Sequence, residues 1–292
     1  MTKAEKVSSI ALPIVLLIGA GLAWAGSGNS VVIGGLPLYA LCIALAFVIQ
    51  WLVFIPSWLG HTEKFYDITG GITYLSIITV AWLVGGNGDL RSSLAALMVV
   101  VWAFRLASFL FIRIHHAGKD DRFDEIKISF PRFLLTWTLQ GLWVSFTAAA
   151  ALAIIASPVK VGIDLTFWIG LLFWLIGFGL EIVADEQKRQ FRADPANEGK
   201  FIRTGLWAIS RHPNYLGEII LWVGMLVLAV PVLSGWGWVA LLSPIFVWLL
   251  LTRVSGVPML EAKADKRWGG QAEYEAYKQK TGVLLPMFGK GK

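Results

Sequence analysis

The chain has 292 residues, of which 57% are hydrophobic and 15% charged. Soluble domains carry about 25% charged residues, so this composition excludes an ordinary soluble globular protein and points to repeated membrane spans. The net charge of +6 does not indicate a nucleic-acid partner, because the basic residues sit in short loops between apolar runs.

Taken in order, the apolar runs predict eight spans, at Ser8–Gly26, Val31–Leu59, Ile68–Val84, Leu94–Ile114, Phe133–Ser157, Phe167–Ala184, Tyr215–Val230 and Trp236–Gly256. The first is long enough to span and is followed by others, so it reads as a helix and not as a signal peptide. The second is overlong and holds Pro37 and Pro56, which predicts tilting or a kink. PVLSGWG, between the last two, suits a tight helical hairpin. The expected fold is all-α: a polytopic membrane helix bundle of about eight transmembrane helices forming one domain over residues 1–292. With the N-terminus in the cytoplasm, Lys3, Lys6, Lys64, the segment Lys119–Arg132, the charged stretch Glu181–Glu218 and the tail from Lys263 fall inside, and only Arg91 and Lys160 fall outside. Both termini are therefore expected to be cytoplasmic.

The single cysteine, Cys42, lies in an apolar run, which excludes a disulfide framework and a cysteine metal site. His115 and His116 are adjacent and point apart on a helix, and His212 has no second ligand at useful spacing, so no metal site is expected. Gly177 and Gly179 form only a fragment of a dinucleotide fingerprint and read better as close helix packing. Arg105 lies within the fourth span, where it either snorkels to the interface or faces a cavity that admits an anion.

Charge concentrates in Glu181–Glu218, EIVADEQKRQFRADPANEGKFIRTGLWAISRHPNYLGE, between two long apolar runs. Glu181 and Asp185 are four apart and share a helical face, so a nearby cation or hydrogen-bonding ligand is expected. Arg192, Arg203, Arg211 and Arg105 are numerous enough to receive a ligand with several negative charges.

EIVADEQKRQF, GLWAISRHPNYLGEIILWVG and the tail SGVPMLEAKADKRWGGQAEYEAYKQKTGVLLP together resemble the C-terminal half of the steroid 5-alpha-reductase-like membrane family, in its bacterial branch. The resemblance covers about residues 167–286 and extends more loosely to VWAFRLASFLFIRIHHAGKDDRF and YDITGG. It implies a cytosol-facing NADPH site in a bacterial inner-membrane protein. Residues 167–286 would form the cofactor half, and residues 1–114 would contribute helices to a substrate pocket. Asp185 would hold the nicotinamide carboxamide, Arg192 the phosphates, and Asn214 and Glu218 the adenosine half. Arg105 would close the pocket, and Glu181, Arg203, Arg211 and Tyr215 complete the cofactor-binding set. The sequence departs from the steroid reductases in placing Trp102 where they have a tyrosine and Glu181 where they have an asparagine.

The resemblance implies an NADPH-dependent reductase of a lipophilic enone, with Asp67 and Tyr66 as catalytic candidates for polarising the carbonyl and Glu63 beside them. RHPNYLGE is also similar to a stretch of membrane isoprenylcysteine and phospholipid methyltransferases, so a methyltransferase using S-adenosylmethionine is the alternative. A non-catalytic lipid-binding protein is the third reading. The expected partners are a lipophilic small molecule and membrane lipids; the sequence gives no oligomeric state.

Overall fold

A computed structural model describes residues 1–85, 88–117 and 123–287; the side chains of residues 109–117 are not described. The side chains of His115 and His116, and the first part of the basic segment expected at Lys119–Arg132, therefore lie outside what is described. Among the described residues, eight helical runs are long and apolar enough to cross a membrane. The chain divides into two compact units, residues 1–167 with 228–243, and residues 168–227 with 244–292.

The first unit holds α1 (Lys3–Ser27), α2 (Leu38–Leu59), α3 (Tyr66–Gly85), α4 (Leu90–Ala117) and α5 (Phe130–Ile155). Thr2 and Glu5 close a capping box on α1: Glu5 N donates to Thr2 Oγ1 at 3.2 Å, and Thr2 N to Glu5 Oε2 at 2.7 Å. α5 packs against each of the other four helices. Its run of four alanines, Ala148–Ala151, is wholly buried, which lets neighbouring backbones approach. Near the start of α5, Phe54, Phe123, Phe133 and Trp137 form an aromatic core, flanked by Trp58 and Tyr66.

The overlong second span is corrected. Val32–Ile33 and Leu36–Pro37 pair as a small antiparallel hairpin, turned by Gly34 and Gly35, both with positive φ. Pro37 sits before the first turn of α2, where its missing N–H costs nothing, so it starts the helix and does not kink it.

Arg91, at the start of α4, is 2% exposed and spends every guanidinium hydrogen. It donates to the carbonyls of Val161, Gly162 and Leu228, to Thr166 Oγ1, and to Asp164 Oδ1 at 2.7 Å. A residue counted among loop charges is in fact a buried staple holding the segment before α6 (Leu165–Ala193).

The second unit is built on most of α6 and of α7 (Pro213–Ala229), on α8 (Leu242–Leu249), and on the tail helices α9 (Val257–Trp268) and α10 (Ala272–Lys280). α6 and α7 meet at glycines. A Cβ at Gly177 would strike the backbone of Gly217 and Leu221, and one at Gly224 would strike that of Gly170 and Trp174. Such contact brings the C-terminal end of α6 beside the RHPN turn that opens α7. α8 ends in a wide π turn, Leu250–Val254, and after Gly256 the chain restarts as α9.

Candidate functional site

Past its apolar stretch, α6 continues as EQKRQFRA, which places Lys188 and Arg192 one turn apart on one face. Asp194 then caps a single 3-10 turn, its side chain accepting from Ala196 N. The returning loop is fixed back onto α6 at two points. Leu206 N donates to Gln187 Oε1 at 2.9 Å, and Trp207 Nε1 donates to the Ala184 carbonyl at 3.0 Å. Gly205 lies against the Gln187 side chain with φ +61, a left-handed conformation that favours glycine.

The tail closes on this loop. Arg211 N donates to the Gly282 carbonyl at 2.9 Å, Tyr277 Oη to that of Trp207 at 2.7 Å, and Trp268 Nε1 to that of Gly199 at 2.6 Å. Phe201 is enclosed by Trp268, Tyr274 and Tyr277 at ring separations of 5.2–5.8 Å. Burial pushes the Tyr277 hydroxyl up to about 12, so it remains a donor at neutral pH.

These elements enclose a cavity of about 500 Å³, inside the size range of small-molecule sites. Its walls carry Lys188, Arg192, Lys200, Arg211, Lys263 and Arg267 against the carboxylates Glu198 and Glu261. Lys188 Nζ lies 4.4 Å from the centre of the Trp207 ring, a cation–π contact. Among the described residues, Arg192, Lys200, Lys263 and Arg267 have no carboxylate within ion-pair distance. Surface cations nearby do: Arg189 pairs with Glu186, and Lys278 with Asp265. Like charges one turn apart repel, and here Lys188 and Arg192 on α6 share a cavity with Lys263 and Arg267 on α9. Unneutralised cations gathered around aromatic walls fit a ligand that combines several negative charges with flat rings.

Of the nine expected cofactor-binding residues, Arg192 and Arg211 line the cavity. Asp185 and Asn214 are brought together, Asn214 Nδ2 donating to Asp185 Oδ1 at 3.1 Å, but neither lines the cavity. Tyr215 stacks on His212, itself a cavity residue. Glu181 is buried on α6, its backbone against Gly217, and Glu218 follows on α7. Arg203 pairs with Glu273 and is half exposed, outside the cavity wall. Arg189 pairs with Glu186 and not with Asp185.

Arg105, Tyr66, Asp67 and Glu63 belong to the first unit. Arg105 is half-buried on α4, and Asp67 sits in the first turn of α3. Tyr66 Oη donates to the Thr136 carbonyl at 3.2 Å, and its ring packs edge-on against Trp137. Glu63 is buried and accepts from Lys127 Nζ at 2.8 Å, a contact that raises the Lys127 pKa above its ordinary value. Sequence reasoning placed the tail in the expected cofactor half but named none of its residues for the site. The signal was there in register: Leu260, Ala264 and Trp268, with Lys263 and Arg267, repeat at four-residue intervals along α9.

The family model described as protein of unknown function (DUF1295) matches residues 53–281. The delta(14)-sterol reductase of Arabidopsis thaliana is 24% identical over 177 residues, covering 57% of this chain and 47% of that protein. An uncharacterized protein of Schizosaccharomyces pombe is 23% identical over 229 residues, covering 67% of this chain and 63% of that protein. The chain thus spans about half to just under two thirds of the length of these relatives. No solved structure matches it significantly.

Proposed function

The chain belongs to the DUF1295 family, the steroid 5-alpha-reductase-like family, and from that premise we propose that it is an NADPH-dependent membrane reductase of a lipophilic enone. The distant likeness to a sterol reductase supports a membrane reductase-like family; the cofactor, the reaction and the substrate are our reading. One observation carries it: Arg192, Lys200, Lys263 and Arg267 converge, without carboxylate partners among the described residues, on a cavity walled by Phe201, Trp207 and Trp268. NADPH combines two bridging phosphates and a third on the ribose with two flat rings. S-adenosylmethionine is a zwitterion with a cationic sulfur, which a wall of unpaired cations repels.

When bound, NADPH supplies a hydride for the carbon–carbon double bond. Arg192, Lys200, Lys263 and Arg267 would hold its phosphates, and the aromatic walls its rings. Asp185, fixed by Asn214, would orient the carboxamide. Polarising the substrate carbonyl falls to Tyr66 or Asp67 in this reading.

The test is thermal unfolding of the detergent-purified full chain with NADPH, NADH or S-adenosylmethionine. A ligand at 100 times its Kd stabilises by about 2.7 kcal/mol. NADPH is expected to raise Tm most, NADH less, and S-adenosylmethionine not at all. Stabilisation by S-adenosylmethionine alone would replace this reading with the methyltransferase one.

A further inference from the structure

Glu261 is a carboxylate in a wall otherwise dominated by cations. On charge alone it weakens a site for a polyanion, so its presence calls for another role. Its two oxygens are divided between two consecutive residues. Oε1 is 2.7 Å from His212 Nε2, and Oε2 is 3.2 Å from Arg211 Nη2. Glu261 belongs to α9, whereas Arg211 and His212 belong to the turn that opens α7, so one side chain locks two walls of the cavity together.

The lock also sets what the two residues present. An ionised carboxylate only accepts, so the hydrogen between Glu261 and His212 lies on Nε2. His212 is 6% exposed, its ring stacked on Tyr215 at 5.6 Å and 9°. Its Nδ1 is buried with no hydrogen-bond partner among the described residues, and so is Arg211 Nε. Both residues therefore keep a buried polar atom in reserve at the cavity wall, while Glu261 holds their other end.

We infer that Glu261 is a positioning residue of the cofactor site: it presets Arg211 and His212 and does not itself touch the ligand. The inference rests on reading the cavity as the NADPH site. The sign of one substitution decides it. If Glu261 were only a negative charge near a polyanion, Glu261→Gln would tighten NADPH binding. As a positioning residue, it should weaken NADPH about tenfold, with apo Tm changed little. Glu261→Asp retains the charge but is too short to reach both partners, and it should also weaken binding. Arg211→Gln combined with Glu261→Gln should bind no worse than the weaker single variant, since both remove one unit. Tighter or unchanged NADPH binding in Glu261→Gln, or a fully additive double variant, overturns the inference.

A second readout does not depend on the cofactor. The ¹⁵N spectrum of selectively labelled histidine, assigned with His212→Gln, should show His212 protonated at Nε2 in the parent chain. That state should be lost in Glu261→Leu. If no variant binds NADPH, the functional reading falls while this spectrum still judges Glu261: an unchanged His212 ring overturns the inference.

Discussion

At the scale of single residues, partnership separates the side chains proposed to serve a ligand from those that serve the surface. Arg192 and Arg203 are both arginines of the same charged stretch. Arg203 is half exposed and paired with Glu273, a contact of the kind worth about 0–1 kcal/mol. Arg192 lines the cavity with no carboxylate partner among the described residues. Arg192→Ala should therefore weaken NADPH by about 1.5–3 kcal/mol, the range for hydrogen bonds to charged groups, while Arg203→Ala leaves the Kd within about twofold. Titration calorimetry of the two variants checks this, and equal losses would return Arg203 to the site. Asp164 carries a different prediction, about stability. The Thr166 hydroxyl and then the Arg91 guanidinium hold its carboxyl at about 2, below the ordinary aspartate value. A depressed folded-state value means that its contribution is fully present above about pH 4, and is lost as pH falls through about 2. Apparent Tm should decline below about pH 4 in the parent chain. That acid-dependent part should be smaller in Asp164→Asn, and a decline of the same depth in both would remove the pair from the account.

At the scale of elements, the α6–α7 crossing turns a pair of similar glycines into opposite predictions. Gly177 faces the backbone of Gly217 and Leu221, whereas a Cβ at Gly179 meets nothing within 4 Å. Gly177→Ala should cost about 1–3 kcal/mol, the usual cost of overpacking. Gly179→Ala should be neutral or stabilising by up to about 1 kcal/mol, because glycine is the poorer helix former. Detergent melting curves distinguish them, and equal tolerance at both positions would mean that the crossing is not a tight one. The same crossing bears on what was legible beforehand. Apolar runs of spanning length give the helices, because a bilayer leaves the backbone no other way to satisfy itself. The Gly177–Phe178–Gly179 fragment reads as packing from sequence, but only contact separates the two glycines. The hairpin at Gly34–Gly35 was hidden because its residues are as apolar as the helix that follows. Arg192 and Arg211 stand out as site residues by charge at the edge of an apolar run. Lys263 and Arg267 do not, since nothing in their spacing says which helix end α9 folds against. Arg203 has the same charge as its neighbours, and only its partner Glu273, seventy residues away in the chain, turns it from the site.

At the scale of the molecule, the fold constrains which residues share a side of the membrane. α6 is a continuous helix of 29 residues, which at about 1.5 Å per residue is about 43 Å long. That exceeds the hydrocarbon core of about 30 Å, so its two ends emerge on opposite sides if it spans. Lys160 lies in the segment leading into α6, and Lys200 in the loop that follows it. Lys200 and Lys263 line one cavity and so must share a side. The proposed function places that side in the cytoplasm, as the distribution of lysine and arginine leads one to expect. Single cysteines at Lys160, Lys200 and Lys263 can be placed in a Cys42→Ala background, since Cys42 is the one cysteine and is buried. A membrane-impermeant thiol reagent applied to intact cells or right-side-out vesicles should label Lys160→Cys, and should reach Lys200→Cys and Lys263→Cys only after permeabilisation. Labelling of Lys200→Cys and Lys263→Cys from different faces would contradict the cavity itself. Labelling of all three from one face would instead show that α6 does not span, and the proposed cofactor site would then need another account of how it meets the proposed lipophilic substrate.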